Sequence, residues 1–293
     1  MTLIPAFDPP HHDEVPEDTV SRIEGLSEVC HIPFEGGDMV WHVWGEGTPL
    51  VLLHGGYGSW MHWIKNIPYL AKRFQVFAVD MPGFGASDDM PEPHTAHGLG
   101  SLVSAGIDQI TPKDKPIHLA GFSFGGIIGG NVAALQGDRL LSHTFSGSSG
   151  MGLNRNKLDT FASWRAAKTD EEREAAHRKN LEILMIADPA RVDALALYVQ
   201  AWNTSRGRVR SHKMGAADNL SEALGQVKGR LMGLYGNRDA YAKSYLHERV
   251  AYLSGFQPNL IFRELEGAGH WGCYETPDAF NKNYFEMIDE VEA

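Results

Sequence analysis

A chain of 293 residues with 43% hydrophobic content can bury one large core and still carry an inserted subdomain. Its formal net charge of -11 argues against nucleic acid as a partner, because phosphate neutralisation needs clustered Lys and Arg. No apolar run of about 18 residues occurs, and Met1-Thr2-Leu3-Ile4-Pro5 lacks a basic region followed by a hydrophobic one, so neither a membrane span nor export is expected.

The first stretch, residues 1–24, is rich in Pro, His, Asp and Glu and reads as an extended arm. Its His11-His12 pair has no further ligand types around it, and a solvated pair fits better than a metal site. From Val29 short apolar runs begin. Val29 to Phe34 and Met39 to Trp44, joined by Gly36-Gly37-Asp38, read as a hairpin that opens a sheet. Further strands are expected at Pro49 to Leu53, Gln75 to Val79, Ile117 to Ala120, Leu140 to Phe145, Leu231 to Tyr235 and Leu260 to Leu265. Each is short, nearly continuous in apolar residues and bounded by Gly, Asp or Pro, as for strands covered on both faces.

Helical segments fall between most of them: Trp60 to Lys72, Thr95 to Ile110, Phe124 to Leu135, Ala242 to Leu253 and Pro277 to Ile288. The alternation predicts an α/β fold with a mostly parallel, eight-stranded sheet and helices on both faces. One interval breaks it. Residues 151–223 hold no strand candidate but do hold charged helical segments such as Asp170 to Ile186, whose Glu171, Glu172, Arg173 and Glu174 suit a solvated face. This interval reads as a helical cap over the C-terminal sheet edge, leaving residues 25–150 and 224–293 as the core.

Chemistry concentrates at Gly121-Phe122-Ser123-Phe124-Gly125, where a strand passes into a helix and small neighbours let a serine stand in a strained turn. A serine hydroxyl is a poor nucleophile at neutral pH, so Ser123 needs a base and an orienting group behind it. His270, in Glu266-Gly267-Ala268-Gly269-His270-Trp271, follows the last strand and is the best placed of the 14 histidines. Asp239, in Tyr235-Gly236-Asn237-Arg238-Asp239, stands after the preceding strand, as the orienting acid or as a plain helix N-cap. Asp80 is a rival by position, but ahead of Met81-Pro82-Gly83-Phe84-Gly85 a carboxylate is better suited to pinning a turn. For the oxyanion, Leu53-His54-Gly55-Gly56-Tyr57-Gly58 offers the N–H of Gly56, and the residue after the nucleophile offers that of Phe124.

The two cysteines, Cys30 and Cys273, lie at opposite ends of the chain and form neither a disulfide framework nor a metal pair, which fits a reducing cytoplasm. Cys273 follows His270 closely, yet without a second histidine to activate it a small buried hydrophobe is the better reading. No cofactor and no metal are expected.

The chain resembles the α/β-hydrolases: LLHGGYGS, DMPGFGASD, GFSFGG, YGNRD and GAGHW occur in that family's order. The resemblance implies a Ser123-Asp239-His270 triad working through an acyl-enzyme. A serine at this position points away from haloalkane dehalogenases and epoxide hydrolases, which attack through a carboxylate. His270-Trp271 is similar to the pair in meta-cleavage-product hydrolases, which break carbon–carbon bonds in vinylogous diketo acids, and this makes Trp271 a candidate substrate-binding residue. Those enzymes carry Asn before the nucleophile, where this chain has Phe122, and a cap Arg that holds a substrate carboxylate. Arg206, Arg208 and Arg210 are candidates for that Arg, or are simply solvated. Trp164 and Trp202 either line an apolar pocket or pack the cap onto the core.

The expected function is a carboxylesterase acting on a small ester, a small-molecule substrate that carries a carboxylate if those arginines face it. Carbon–carbon bond hydrolysis of a dienoic or diketo acid is the alternative. A third, from another class, is a non-catalytic ligand-binding protein on the same scaffold.

Overall fold

Eight strands form one sheet in the order β1-β2-β4-β3-β5-β6-β7-β8. They are β1 (Glu28–Phe34), β2 (Gly37–Trp44), β3 (Thr48–Leu53), β4 (Phe74–Asp80), β5 (Ile117–Phe122), β6 (Leu140–Ser146), β7 (Arg230–Gly236) and β8 (Ile261–Leu265). This computed structural model describes residues 8–11, 13–214 and 220–293, without the side chains of residues 212 and 213. His12 of the histidine pair therefore lies outside the described residues. The pairs made by β2 are antiparallel and every other pair is parallel. The hairpin turns at Gly36 and Gly37, whose φ of 119° and 142° only glycine adopts readily.

The central strands are apolar throughout because both faces are covered. On β3, Leu50 and Leu52 join a core that holds Trp63, Phe74 and Tyr284, while Val51 and Leu53 join one that holds Trp41, Val103 and Ile128. Burying a side chain of this size stabilises the fold by about 1.5–3 kcal/mol each. The helices are α1 (Pro16–Glu24), α2 (Ile67–Leu70), α3 (Ala96–Ile110), α4 (Phe124–Gln136), α5 (Asp170–Asn180), α6 (Ala194–Arg206), α7 (Ser211–Met214), α8 (Ser221–Leu224), α9 (Leu246–Phe256), α10 (Gly272–Glu275) and α11 (Pro277–Glu292). None among the described residues is long and apolar enough to cross a membrane.

Several expectations are corrected. The stretch to Glu24 is not extended throughout: α1 starts with Pro16 in its first turn, carries Glu17 and Asp18 there and Arg22 at its end, and buries Thr19 and Ile23. The expected helix from Trp60 to Lys72 is a 3₁₀ turn, Trp60–Trp63, followed by the four-residue α2. Pro68 explains the break, since it lacks the N–H that a continuous helix would use. The helix expected from Ala242 begins only at Leu246, because Asp239 draws the N–H groups of Tyr241 and Ala242 into a turn. The segment from Asp170 is helical to Asn180 and then widens to a π turn, Leu181–Met185.

Between β6 and β7 no strand occurs among the described residues. This interval is fused to both cores: Leu181, Met185, Leu195 and Val199 pack in one, Val209, Leu220 and Leu224 in the other.

Candidate active site

Ser123 occupies the turn between β5 and α4 with φ 51° and ψ -112°, a conformation that a non-glycine residue holds only where its surroundings enforce it. Those surroundings require glycines on either side. A Cβ on Gly121 would lie 2.3 Å from the Gly125 carbonyl oxygen, and one on Gly125 would lie 2.4 Å from the Leu53 carbonyl oxygen. The Ser123 N–H donates to the Ser146 carbonyl at 2.8 Å, tying the turn to the end of β6.

The structure brings Ser123, His270 and Asp239 together. Ser123 Oγ and His270 Nε2 are 2.9 Å apart, and His270 Nδ1 and Asp239 Oδ2 are 2.8 Å apart. Asp239 Oδ1 accepts the N–H groups of Tyr241 and Ala242 at 2.8 and 3.1 Å. Because Asp239 Oδ2 can only accept, His270 Nδ1 carries the proton and Nε2 is left to accept the serine proton. Both Asp239 and His270 are buried.

The loop after β3 is equally constrained. Its His54 ring bridges two strand ends: the Met81 N–H donates to Nε2 at 3.0 Å, and Nδ1 donates to the Gly55 carbonyl at 2.7 Å. Across a trans peptide plane, the Gly56 N–H points away from that carbonyl. The Gly55 N–H is taken by His62 Nδ1 at 3.0 Å, whereas the Gly56 N–H has no hydrogen-bond partner among the described residues. Phe124 is the first residue of α4, so its N–H has no intrahelical acceptor. Tyr57, next in the loop, is the other non-glycine residue with positive φ, at 51°, among the described residues. Burial holds His54 down at about 4 and His62 well below the ordinary histidine range, with His54 and His270 adding repulsion at His62. Both rings are therefore neutral at pH 7, as their hydrogen bonds require.

A cavity of about 560 Å³ opens above Ser123 and His270. Gly55, Gly56 and Phe124 form its floor, and Trp164, Met185, Gln200 and Thr204, all from the interval between β6 and β7, are on its other walls. Of the other sequence candidates, Trp164 lines this cavity and the rest do not. Trp271 is fully buried behind it, stacked on Tyr274 at 4.0 Å and donating its indole N–H to the His62 carbonyl at 2.9 Å. Trp202 packs against the core under the Arg206 guanidinium, 4.1 Å away. Arg208 turns outward to Asp89 and the Ser87 carbonyl, and Arg210 is exposed away from the cavity. Asp80 pins its turn, accepting N–H groups from Trp60 and Ala86 at 2.8 Å each. Cys273 is buried, and burial pushes its thiol up, which leaves it unreactive.

Arginines do reach the cavity, but they are Arg155 and Arg165. The Gly147-Ser148-Ser149-Gly150-Met151-Gly152 run after a strand end is the kind of loop that lines sites in α/β sheets, but it does not single out Arg155, and nothing in the sequence pattern marks Arg165. His62 and Tyr241, also at the cavity, carry no such signal.

The chain belongs to the alpha/beta hydrolase family, whose model matches residues 50–283, and it is an enzyme of the hydrolase class. A 2-hydroxy-6-oxo-6-phenylhexa-2,4-dienoate hydrolase of Burkholderia cepacia is 24% identical over 83% of this chain and 88% of its own length. The dihydrolipoyllysine-residue acetyltransferase component of the acetoin cleaving system of Pseudomonas putida is 36% identical over 50% of this chain, which spans only 37% of that relative's length. Among solved structures, carboxylesterase CesB (YbfK) of Bacillus subtilis superposes with a TM-score of 0.72 at 18% identity, over 93% of this chain and 95% of that one.

Proposed function

We propose that this hydrolase is a serine carboxylesterase working through an acyl-enzyme. The observation that carries the reading is the hydrogen-bonded series Ser123-His270-Asp239, at 2.9 and 2.8 Å, on a strained turn facing the large cavity. Ser123 Oγ attacks the ester carbonyl as His270 Nε2 takes its proton. Asp239 holds the tautomer and stabilises the imidazolium. The N–H groups of Gly56 and Phe124 receive the developing oxyanion, and His54 and His62 hold the Gly55 peptide so that no reorganisation is needed as charge develops. His270 then protonates the leaving alcohol, and water, activated by the same ring, releases the acid. The interval 151–223 acts as the cap that shapes the cavity and excludes bulk water.

A second reading, hydrolysis of a carbon–carbon bond in a dienoic acid, is favoured by the likeness to the Burkholderia dienoate hydrolase. Against it, Phe122 precedes the nucleophile and Trp271 does not reach the cavity; Arg206, Arg208 and Arg210 do not reach it either, so a substrate carboxylate would fall to Arg155 or Arg165. The test is parallel turnover of a chromogenic acetate ester and a coloured ring-fission dienoate by the wild type and Ser123→Ala. Ester turnover that Ser123→Ala loses by about a thousandfold or more supports the esterase. Faster decay of the dienoate than of the ester overturns it in favour of the second reading. Stoichiometric labelling of Ser123 by a fluorophosphonate without turnover of either would leave a binding protein.

A further inference from the structure

Beside the large cavity lies a smaller chamber of about 100 Å³, walled by the loop Gly147 to Leu153 together with Arg155, Tyr241, Ala242 and Arg249. Ser149, Arg155 and Tyr241 border both spaces, so the chamber is a side pocket of the site described above. Its volume is that of about three water molecules in the liquid, enough for one small charged group.

Arg249, on α9, is the unusual member. It is 3% exposed, yet no carboxylate among the described residues lies within 4 Å of its guanidinium. It donates from Nη1 to the Tyr245 carbonyl at 3.0 Å, while Nε is buried with no acceptor at all. The acids nearby are already engaged. Asp239 serves His270 and two backbone N–H groups, and Glu248 turns to Asn154, accepting from its N–H at 3.0 Å and its Nδ2 at 2.8 Å. Glu248 is held low chiefly by its bond from Asn154 and only secondarily by Arg249, from beyond ion-pair distance. A buried guanidinium with no carboxylate in hydrogen-bond reach is disfavoured unless something else brings the negative charge.

The rest of the wall suits the same ligand. Arg155 borders the chamber, is exposed, forms no ion pair among the described residues and lies over the Tyr241 ring at 5.8 Å. No backbone N–H from Gly147 to Leu153 donates to protein among the described residues. Gly147, Gly150 and Gly152 have φ of 58°, 81° and 65°, a left-handed backbone that exposes such groups.

We propose that this chamber is a carboxylate-binding subsite in which Arg249 and Arg155 hold the anion, so that the enzyme takes esters bearing a second, free carboxylate. This rests on the esterase reading for its use of the anion, but not for the binding itself. Dicarboxylic half-esters would then place the ester carbonyl at Ser123 and the free carboxylate in the chamber. Charge-assisted guanidinium–carboxylate bonds are the strong kind, so their loss is expected to weaken binding about tenfold or more.

The test has two arms. Binding of glutarate and of acetate to Ser123→Ala is titrated calorimetrically and repeated with Arg249→Met and Arg249→Lys added, each variant first shown to be folded by circular dichroism. The expected result is saturable binding that Arg249→Met weakens about tenfold or more and Arg249→Lys weakens less. In the second arm, kcat/KM for monomethyl glutarate is compared with that for dimethyl glutarate in active enzyme with and without Arg249→Met. A preference for the half-ester that collapses in the variant assigns the subsite to the substrate's own carboxylate. Arg249-dependent binding of free carboxylates with no half-ester preference keeps the subsite and assigns it to a free anion. Absence of binding to Ser123→Ala, or binding that Arg249→Met leaves intact, overturns the proposal. Should the esterase reading itself fail, the binding arm still decides the subsite, because it needs no turnover.

Discussion

Glu275 Oε2 accepts the N–H of Gly269, the residue before His270, at 2.6 Å. The same carboxylate accepts the N–H groups of Ala187 and Asp188 at 3.0 and 2.8 Å, just beyond the π turn that lines the cavity. The His270 loop and the interval above it are thus held by one buried side chain. Glu275→Gln replaces an oxygen that faces only donors with an amide NH₂, leaving at least one buried N–H unpaired at a cost of about 1–3 kcal/mol. Melting is expected roughly 2–5 °C lower, with a smaller kcat from a less well-held imidazole. An unchanged melting temperature would contradict the assignment of this carboxylate.

Asp239→Asn retains the shape of the acid but offers His270 an amide, which stabilises the wrong tautomer or none. In a serine protease triad the equivalent change lowers kcat about ten-thousandfold. A fall of about a thousandfold or more in ester turnover is expected here, with KM changed far less. A loss under about tenfold would mean that the 2.8 Å contact to His270 Nδ1 does not serve turnover.

Gly56→Ala tests the oxyanion donor. A Cβ at this position would lie 2.5 Å from Ser211 Oγ and 3.2 Å from Ser211 Cβ, so the Ser211 side chain or the loop must shift. Loss of one side-chain donor in a comparable site costs about 2.7–4 kcal/mol in kcat, and a decrease of roughly a hundredfold is expected. Adding Ser211→Gly removes the clash and is expected to restore part of the rate. No change in kcat for Gly56→Ala would remove this N–H from the mechanism.

Acid stability follows from the buried histidines. Burial brings His42, His54 and His143 down to about 4 from 6.5. Their folded-state values are depressed, so the fold favours the neutral rings; that stability is present above pH 6.5 and is lost as pH falls towards 4, at about 1.4 kcal/mol per pH unit for each. Asp80 acts in the opposite sense. Burial raises it from 3.8 to about 7 despite the N–H groups of Ala86 and Trp60, so its contribution is full below 3.8 and is lost as pH rises through 7. Of these four groups, three act against one, and urea midpoints are expected to fall between pH 6.5 and 4.5. Asp80→Asn removes the opposing group and is expected to steepen that fall. A flat midpoint over this window would contradict the burial of the rings.

The sheet and the meeting of Ser123, Asp239 and His270 were legible because each depends on local pattern: continuous apolar strands and loops that leave the strand ends. What was not legible depends on packing across distant segments. Trp271 looked like a pocket residue, but its indole completes the His62 carbonyl instead. Arg208 looked like a substrate anchor, but Asp89 and Ser87 lie within its reach. Arg155 sits in a stretch without regular structure, where neither helical nor strand periodicity shows which way a side chain faces. Pro and charge over residues 1–24 suggest an extended arm, whereas α1 forms there with Ile23 buried against the core and its carbonyl accepting the Trp44 indole N–H at 2.8 Å, a contact between distant segments.

The most direct test is rapid mixing of the enzyme with a p-nitrophenyl ester, with acid quench and peptide mass mapping. The account predicts a burst of nitrophenol approaching one per active site and an acyl group on the peptide containing Ser123. Hydrolysis with no burst and no adduct, even when deacylation is slowed at low pH, or an adduct on another residue, would contradict it.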